Sequence, residues 1–404
     1  MAEQGGGGKQ VKKTMLKAVF NLPRTVWLLG LVSLFNDTTS ELVYPLVPLF
    51  LASVLMAGPR ALGLIEGVAE ATASLLKLFS GVIMDRRGHA KGWVAAGYGL
   101  AAFSRPLFYL AASWPVVLLL RFADRVGKGV RTSPRDALLA GAVDESCRGL
   151  AFGLHRAMDN AGAVIGPLLA AWLLTRGVPI KGIFLWSIVP GMITVALALA
   201  IKEPPVVPAE QRRPFSWKME GFPPVFKRYL LVLALFTLGN SSNMFLLLRA
   251  KELGLPDYQV PLLWALVSGV AMVFSTPLSA LSDRLGRVRL ILGGWAVYGF
   301  FYLSLGVNGF HALLLWPLFA FYGLFLAATE GAEKALVADL APRDRLGTAY
   351  GWFNLTAGAV LLPASLLFGW LWQAVSAEAA FAFSAVCALA AALLLKFWVM
   401  RRQS

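Results

Sequence analysis

Long apolar segments recur along nearly the whole chain, and short polar turns separate them. Each segment has around 20 residues, enough to cross a bilayer as a helix, and a helix satisfies its own backbone hydrogen bonds inside lipid. The short alternating segments of a membrane β-barrel are not seen. The pattern predicts an all-α membrane protein of twelve helices, over residues 25–55, 60–83, 92–112, 115–140, 149–174, 178–201, 229–251, 259–281, 289–308, 311–340, 346–373 and 378–398.

The composition agrees with this pattern. The chain is 58% hydrophobic and only 15% charged, with a mean hydropathy of +0.67, whereas about a quarter of the residues in a soluble domain are charged. The net charge of +15 is compatible with nucleic-acid binding, but its placement argues against that. If both termini lie on one side, that side carries 23 Lys and Arg residues and the other side carries 5. This bias predicts cytoplasmic termini and basic loops that face anionic lipid.

Few other chemistries are indicated. Two cysteines, Cys147 and Cys387, do not make a disulfide framework. Residues 1–24 are basic and lack a compact apolar core with a cleavage site, which favours a cytoplasmic tail over a signal peptide. No nucleotide-phosphate loop, zinc-spaced Cys/His set or Ser/His/Asp arrangement is visible. We therefore expect a protein that is not an enzyme, with no cofactor, no resident metal and no nucleic-acid partner.

The widest break between apolar segments is residues 202–228, which hold six prolines and six basic residues. Such a stretch is typical of a linker. It divides the chain into a six-helix half at 25–201 and another at 229–398, with a short cytoplasmic tail at 399–404.

The two halves share a repeat. Asp85-Arg86-Arg87-Gly88 in the first half matches Asp283-Arg284-Leu285-Gly286 in the second, 198 residues later. The same offset relates Ala151 to Ala349. Internal duplication of membrane helices is how many secondary transporters are built, with substrate bound between the halves.

Three motifs resemble signatures of the major facilitator superfamily, and the resemblance covers essentially the whole chain. The turn after helix 2 is similar to Gly-x-x-x-Asp-Arg-x-Gly-basic-basic, although His89 and Ala90 depart from the basic pair. Helix 4 resembles Arg-x-x-Gln-Gly-x-Gly, with Lys128 in place of Gln, and helix 5 resembles the antiporter-associated Gly-x-x-x-Gly-Pro without its trailing glycine pair. The residues that carry these motifs are Gly81, Asp85, Arg86, Gly88, Lys91, Arg125, Gly129, Gly162, Gly166 and Pro167.

The resemblance implies a monomeric transporter of the bacterial cytoplasmic (inner) membrane, similar to proton-coupled antiporters. Two six-helix bundles would alternate in access, and helices 1, 4, 7 and 10 would line the central cavity. It also implies that the repeated turns act as a gate, with Asp85 near the start of helix 11. The gating candidates are Gly81, Asp85, Arg86, Gly88, Asp283, Arg284, Gly286, Gly162, Gly166 and Pro167.

Ionisable residues at membrane depth are costly and point to function. In this chain they are concentrated in helices 1, 2, 4 and 5, with a smaller set in helix 10. Asp37 lies about 18 Å into helix 1, near the midplane, and Pro45 is expected to bend the helix. Carboxylates and histidine in this setting are candidates for proton carriers, with structural ion pairs as the alternative. The candidates are Asp37, Glu41, Glu66, Glu70, Asp159 and His155.

Helix 4 carries Arg121, Asp124, Arg125, Lys128, Arg131 and Arg135 at intervals of three or four residues, so they form one stripe. These charges must face acids on other helices or an aqueous cavity. Arginine suits carboxylate or phosphate, which favours a small organic or phosphorylated anion as cargo; the alternative is internal charge balance. The substrate-binding candidates are Asn36, Tyr44, Arg121, Asp124, Arg125, Lys128, Arg156, Asn240, Asn243 and Glu330.

The sequence thus predicts a secondary transporter, driven by protons, that moves such an anion by alternating access. A drug/proton antiporter is one alternative, supported by the helix 5 motif and the aromatic content. A divalent-metal carrier is another, using Asp37, Glu41, Glu66, Glu70 and His155 as ligands. A membrane sensor or scaffold that transports nothing is a third. The sequence leaves the cargo and the direction of transport open.

Overall fold

The structure, a computed structural model, describes residues 20–87, 90–144, 147–202, 219–307, 312–342 and 346–400. Within these ranges only the backbone is described at 81–87, 149, 279–280, 282–283 and 347. The described chain is helical and has no strand. We number its membrane-length units α1 to α12, counting a broken helix as one unit.

In the first half, α1 is Arg24–Val43 and Leu46–Ser53, α2 is Pro59–Arg87, and α3 is Lys91–Ser104 followed by a 3-10 turn at Pro106–Leu110. The unit α4 is Trp114–Gly141, α5 is Arg148–Thr175, and α6 is Ile180–Trp186 and Ile188–Ala200.

In the second half, α7 is Pro224–Gly239 and Met244–Glu252, α8 is Gln259–Leu285, and α9 is Arg287–Gly306. The unit α10 is Leu315–Leu340, preceded by a 3-10 turn at Ala312–Leu314, and α11 is Leu346–Ala374. The last unit, α12, is Ala377–Leu394 and ends in a π-helical turn at Leu395–Val399.

Eight of these units, α5 to α12, are long and apolar enough to cross a membrane by length and composition. The other four are the ones that the sequence marks as polar or interrupted. Polar residues fill the middle of α1, ionisable residues punctuate α2 and α4, and the α-helical part of α3 has only 14 residues. Their polar groups must therefore find partners inside the bundle.

Of the breaks in α1 and α7, only the one in α1 was expected. The break in α1 follows from Pro45, which cannot donate a backbone hydrogen bond. The break in α7, at Asn240–Asn243, was not predicted, because asparagine and serine do not exclude helix as proline does. That helix also begins at Pro224 rather than 229, since proline is favourable in the first turn of a helix.

Within the first half, α1 and α5 pack backbone to backbone. A Cβ atom added at Gly162 would lie 2.4 Å from the carbonyl oxygen of Leu34, and one at Gly166 would lie 2.6 Å from that of Thr38. Only glycine permits this separation, as in small-residue contacts between other membrane helices. The close contact holds the polar segment of α1, residues 36–41, against α5.

The two halves meet mainly through α2 with α11 and α5 with α8. We call the side where α1 begins the tail side and the opposite side the far side. Toward the far side the contact is tight: a Cβ atom at Gly63 would lie 2.3 Å from the carbonyl oxygen of Ser365, and one at Gly369 would lie 2.6 Å from that of Pro59. Gly358 of α11 also packs against the Ser74 side chain of α2. One turn nearer the tail side on each helix, Lys77 and Asn354 are exposed. The halves therefore close on the far side and separate toward the tail side.

Candidate functional site

A network of buried ion pairs joins three helices of the first half. The Arg121 Nε atom lies 2.6 Å from Glu66 Oε1, and the Arg105 Nη2 atom lies 2.9 Å from Asp124 Oδ1. Arg121 also lies 3.4 Å from Asp124. All four side chains are at most 4% exposed, so each charge depends on its partners rather than on water. We call Glu66, Arg105, Arg121 and Asp124 the ion cluster.

Arg105 is the member that the sequence reasoning missed as a functional residue. Its Nη1 atom donates to both the backbone oxygen and Oδ1 of Asn36, at 3.0 and 3.1 Å. Asn36 in turn donates from Nδ2 to Asp37 Oδ1 at 2.7 Å. The available signal was that Arg105 is the one charged residue inside helix 3. Through it, the ion cluster reaches the polar segment of α1.

Arg125 extends the same network toward the space between the halves. Its Nη2 atom lies 2.9 Å from Glu70 Oε1, and its Nη1 atom lies 3.6 Å from Asp124 Oδ2. Arg125 is buried, whereas the Glu70 side chain is 28% exposed. Arg121 and Arg125 thus face acids on another helix, which is one of the two arrangements expected for the helix 4 cations.

Lys128 differs from the other members of the helix 4 stripe. Its side chain is exposed, and it has no ion-pair partner among the side chains that the structure describes. The charges that act on it most are those of Arg125, Glu70 and Asp37, which places it beside the polar segment of α1. This ammonium group is thus available to a ligand that enters between the halves.

A second chain of charges crosses from the first half to the second. The carboxyl groups of Asp37 and Asp159 lie within hydrogen-bonding distance of each other, and Ser33 Oγ donates to Asp159 Oδ1 at 2.6 Å. Arg156 lies 3.8 Å from Asp159 and 2.8 Å from Glu330 of α10. Glu330 also pairs with Lys334 at 2.9 Å. The Arg156 and Glu330 side chains are about half exposed although they lie between the halves.

His155, one of the candidate proton carriers, could share a proton with Asp159 by its spacing, but the hydrogen bonds of Asp159 go to other side chains. His155 lies one turn before Asp159 on α5, but Asp159 contacts Ser33 and Asp37 instead. The Nε2 atom of His155 is buried and has no hydrogen-bond partner in the described part of the chain. The structure therefore does not join the two side chains into one relay.

Nearer the far side, hydrogen bonds connect the two halves directly. Trp264 Nε1 donates to Glu41 Oε2 at 2.8 Å, and Ser242 Oγ donates to Glu66 Oε2 at 3.1 Å. The Trp264 ring also packs against Tyr44, with ring centroids 5.3 Å apart. Ser242 belongs to the break in α7, so the ion cluster touches the one irregular segment of that helix.

The break in α7 also holds two of the predicted substrate ligands. Asn243 Oδ1 accepts a 2.6 Å hydrogen bond from Tyr322 of α10. Asn240 terminates the first helical piece with a non-helical backbone, and its side chain is half-buried. Irregular backbone at this depth is tolerated where it lies in protein or lines a cavity.

The gating candidates divide between described and undescribed residues. Gly88 lies outside the described residues, and only the backbone is described at Gly81, Asp85, Arg86 and Asp283. Arg284 is exposed at the end of α8, and Gly286 has a φ of +92°, which favours glycine. Gly162 and Gly166 form the contact of α5 with α1, and Pro167 lies within α5. The contact of Asp85 with helix 11 stays a prediction.

Two helical halves with a polar space between them define the class of a multi-pass membrane transporter. The chain belongs to the major facilitator superfamily: the model described as Major Facilitator Superfamily matches residues 29–279 and 229–404. The MFS-type transporter MJ1317 of Methanocaldococcus jannaschii, described as uncharacterized, is 35% identical over 93% of this chain and 95% of its own length. Multidrug resistance protein MdtH of Salmonella newport is 26% identical over 78% of each chain.

Solved structures show the same fold. A POT family transporter in complex with 5-aminolevulinic acid has a TM-score of 0.78 at 12% identity, covering 93% of this chain and 96% of that one. The nucleoside transporter NupG has a TM-score of 0.74 at 11% identity, covering 93% and 98%. The protein is therefore an integral membrane secondary transporter rather than an enzyme.

Proposed function

We propose that this transporter carries a small organic or phosphorylated anion, and that protons drive it. The observation that carries the proposal is Lys128, an exposed cation of α4 with no ion-pair partner among the described residues. An isolated ammonium group at membrane depth is costly unless water or a ligand compensates it. An anionic cargo would supply that compensation each time it binds.

Arg156 of α5 provides a second cationic contact from the first half. Its 2.8 Å pair with Glu330 is about half exposed, so the pair is weaker than a buried one and open to exchange. The carboxylate or phosphate of a cargo would replace Glu330 on Arg156, while Lys334 keeps Glu330 paired. In this proposal Arg105, Arg121 and Asp124 position the site and do not touch the cargo, because their mutual ion pairs bury them.

Asp37 and Asp159 are the proposed proton carriers. Two carboxyl groups within hydrogen-bonding distance are compatible only if one proton lies between them, since like charges this close repel. Asp37 is also linked through Asn36 to the ion cluster. Loss of the shared proton would push the two carboxylates apart and loosen the contact of α1 with α5. We place this cycle in a cytoplasmic membrane, with the tail side toward the cytoplasm.

Drug/proton antiport is the second candidate, and two observations favour it. MdtH, a multidrug resistance protein, is a relative at 26% identity. The second half also contributes the aromatic side chain of Trp264 to a contact between the halves, with Glu41 and Tyr44. The exposed Lys128 counts against a cationic drug as cargo.

The divalent-metal alternative has weaker support. Among the described residues, no group of three or more His, Cys, Asp or Glu side chains has a metal-binding arrangement. Glu66 and Glu70 are instead engaged by arginines.

The test uses purified protein in liposomes, screened first by thermal shift against inorganic phosphate, hexose phosphates, dicarboxylates and tetraphenylphosphonium. The anion that stabilises the protein is then used for counterflow. Lys128→Gln should weaken its binding by about 10- to 100-fold, the worth of one hydrogen bond to a charged group. Lys128→Arg should retain part of it, and Lys227→Gln, at an exposed lysine on the tail side, should behave as wild type. Unchanged anion binding in Lys128→Gln, or stabilisation by tetraphenylphosphonium alone, would refute the proposal.

A further inference from the structure

A groove on the outside of the first half is lined almost entirely by apolar side chains. Its volume is about 510 Å³, and its walls include Gly99, Phe103 and Leu107 of α3 with Leu185, Ile188 and Met192 of α6. Phe103 is 70% exposed and Met192 is 64% exposed, so neither is covered by the chain. The groove is separate from the polar space between the halves.

The local helix geometry creates this groove. The α3 unit changes from α-helix to a 3-10 turn at Pro106, and α6 is interrupted at Ser187. The two helices approach each other at Gly191, where an added Cβ would lie 3.4 Å from the Cβ of Ala102. At Gly99, by contrast, an added Cβ has nothing within 4 Å. The open space follows from the backbone and not from one small side chain.

The dimensions and depth of the groove match one leaflet of a bilayer. Gly99 to Leu110 spans roughly 16 Å of helix rise, and half of the hydrocarbon core is about 15 Å thick. Tyr109, at the far-side end of the groove, is exposed, and so is Trp186 nearby on α6. Exposed Tyr and Trp mark the level of the lipid headgroups. The groove thus runs from the far-side headgroups toward the midplane.

The charge at its far-side end complements a lipid phosphate. Lys181 precedes Leu185 by one helical turn on α6, beyond the far-side end of the groove, and its half-buried side chain places Nζ 5.8 Å from the ring centroid of Phe50 on α1. Arg176, at the end of α5, is also exposed on this side. We propose that the groove binds one acyl chain of an anionic phospholipid from the far-side leaflet, with its phosphate on Lys181.

Such a lipid would touch the transporter at a sensitive point. Arg105 lies between Ser104 and Pro106, where α3 changes helix type, and its guanidinium group holds both Asp124 and Asn36. A lipid chain packed against Pro106 and Leu107 therefore supports the backbone from which Arg105 reaches the ion cluster.

Native mass spectrometry of the delipidated full-length protein tests this. Dioleoylphosphatidylglycerol, dioleoylphosphatidylcholine and dioleoylglycerol are added in separate arms, and we expect the strongest adduct with phosphatidylglycerol. Gly99→Leu fills the groove and should reduce that adduct at least about tenfold, because several methylene groups lose their burial. Met192→Trp is a second variant that fills the same space. Gly293→Leu on α9, where an added Cβ also has nothing within 4 Å, is the matched control and should bind as wild type.

Lys181→Gln tests the headgroup contact separately from the acyl-chain contact. In this variant phosphatidylglycerol should bind no better than phosphatidylcholine. Equal binding of the two lipids to wild type would overturn the role of Lys181. Full retention of lipid by both Gly99→Leu and Met192→Trp would overturn the groove as the site. A lipid-free dimer that Gly99→Leu dissociates would overturn lipid as the occupant.

Discussion

Ser53 and Lys251 occupy equivalent positions in the two halves, 198 residues apart, and the Lys251 Nζ atom donates a 2.5 Å hydrogen bond to Ser53 Oγ. The same offset relates the repeated turns in the sequence, so the bond joins matching positions at the far-side ends of α1 and α7. Lys251 is also held by Asp257, at 2.6 Å. This contact closes the far side together with the tight packing of α2 against α11.

Lys251→Met should weaken the far-side closure, because it removes the bond to Ser53 and leaves apolar carbon in its place. Ser53→Ala should have a smaller effect in the same direction, since Lys251 keeps Asp257. Spin labels at Met56 and Tyr258, exposed on the two halves, report the separation by double electron–electron resonance in a variant without Cys147 and Cys387. We expect a new population at longer distance. Arg176→Met, which removes a cation that lies over the Trp172 ring of its own half, is the control. An unchanged distance distribution in Lys251→Met would contradict the assignment.

Glu66→Gln should destabilise the protein strongly. It removes the closest partner of Arg121 and leaves that guanidinium group buried, which costs about 3–5 kcal/mol when one member of a buried pair is lost. Thermal unfolding in detergent measures the change. Arg156→Gln, which breaks a half-exposed pair, should change stability by no more than about 1 kcal/mol.

The double variant Glu66→Gln/Arg121→Gln provides the stricter check on this pair. It removes both charges together, so it should recover a substantial part of the loss. If Glu66→Gln unfolds at the wild-type temperature, the ion cluster does not hold the first half together.

Gly162→Val should separate α1 from α5. An added Cβ would lie 2.4 Å from a backbone oxygen of α1, so the helices themselves must move apart. We expect a loss of about 1–3 kcal/mol, as for other overpacked sites. Gly153→Ala on the same helix meets no atom within 4 Å and should be neutral or stabilising by about 0.5–1 kcal/mol. Equal melting temperatures for the two variants would refute the close contact.

Asp37→Asn should uncouple transport from protons. The amide can still accept a hydrogen bond from Asn36, but it cannot share and release a proton with Asp159. We expect pH-gradient-driven transport to be largely lost and exchange of cargo across the membrane to persist. The comparison is made in proteoliposomes with and without a proton gradient. Glu333→Gln on α10, whose carboxylate accepts from Trp295 inside the second half, is the matched control. Retention of gradient-driven transport by Asp37→Asn would exclude it as the carrier.

Much of the fold follows from the sequence because membrane helices are defined by local composition. Apolar length, the 198-residue offset and Pro45 predict the helices, the two halves and the break in α1. The break at Asn240–Asn243 does not follow, since it depends on partners from other helices, such as Glu66 for Ser242 and Tyr322 for Asn243. The polar residues at 240–243 indicate an unusual segment, but they do not determine its backbone conformation.

The candidate site was predicted only in part. The helical stripe predicts that the charges of helix 4 share a face, but it does not predict which of them are buried in ion pairs and which are exposed. The structure separates Arg121, buried against Glu66, from Lys128, which is exposed. Arg105 was missed because one cation in an apolar helix has no periodic pattern, and its importance comes from Asp124, 19 residues away. These distinctions depend on the distances between helices.

The ion cluster has a mechanical consequence. Because Glu66, Arg105, Arg121 and Asp124 connect α2, α3 and α4 through ion pairs, none of these helices can tilt alone without leaving a buried charge unpaired, and α1 is tied to them by the hydrogen bonds of Asn36. The ion pairs therefore couple the movements of these helices to one another. From the second half, the interrupted helix α7 reaches this network through the Ser242 hydroxyl group, which donates to Glu66.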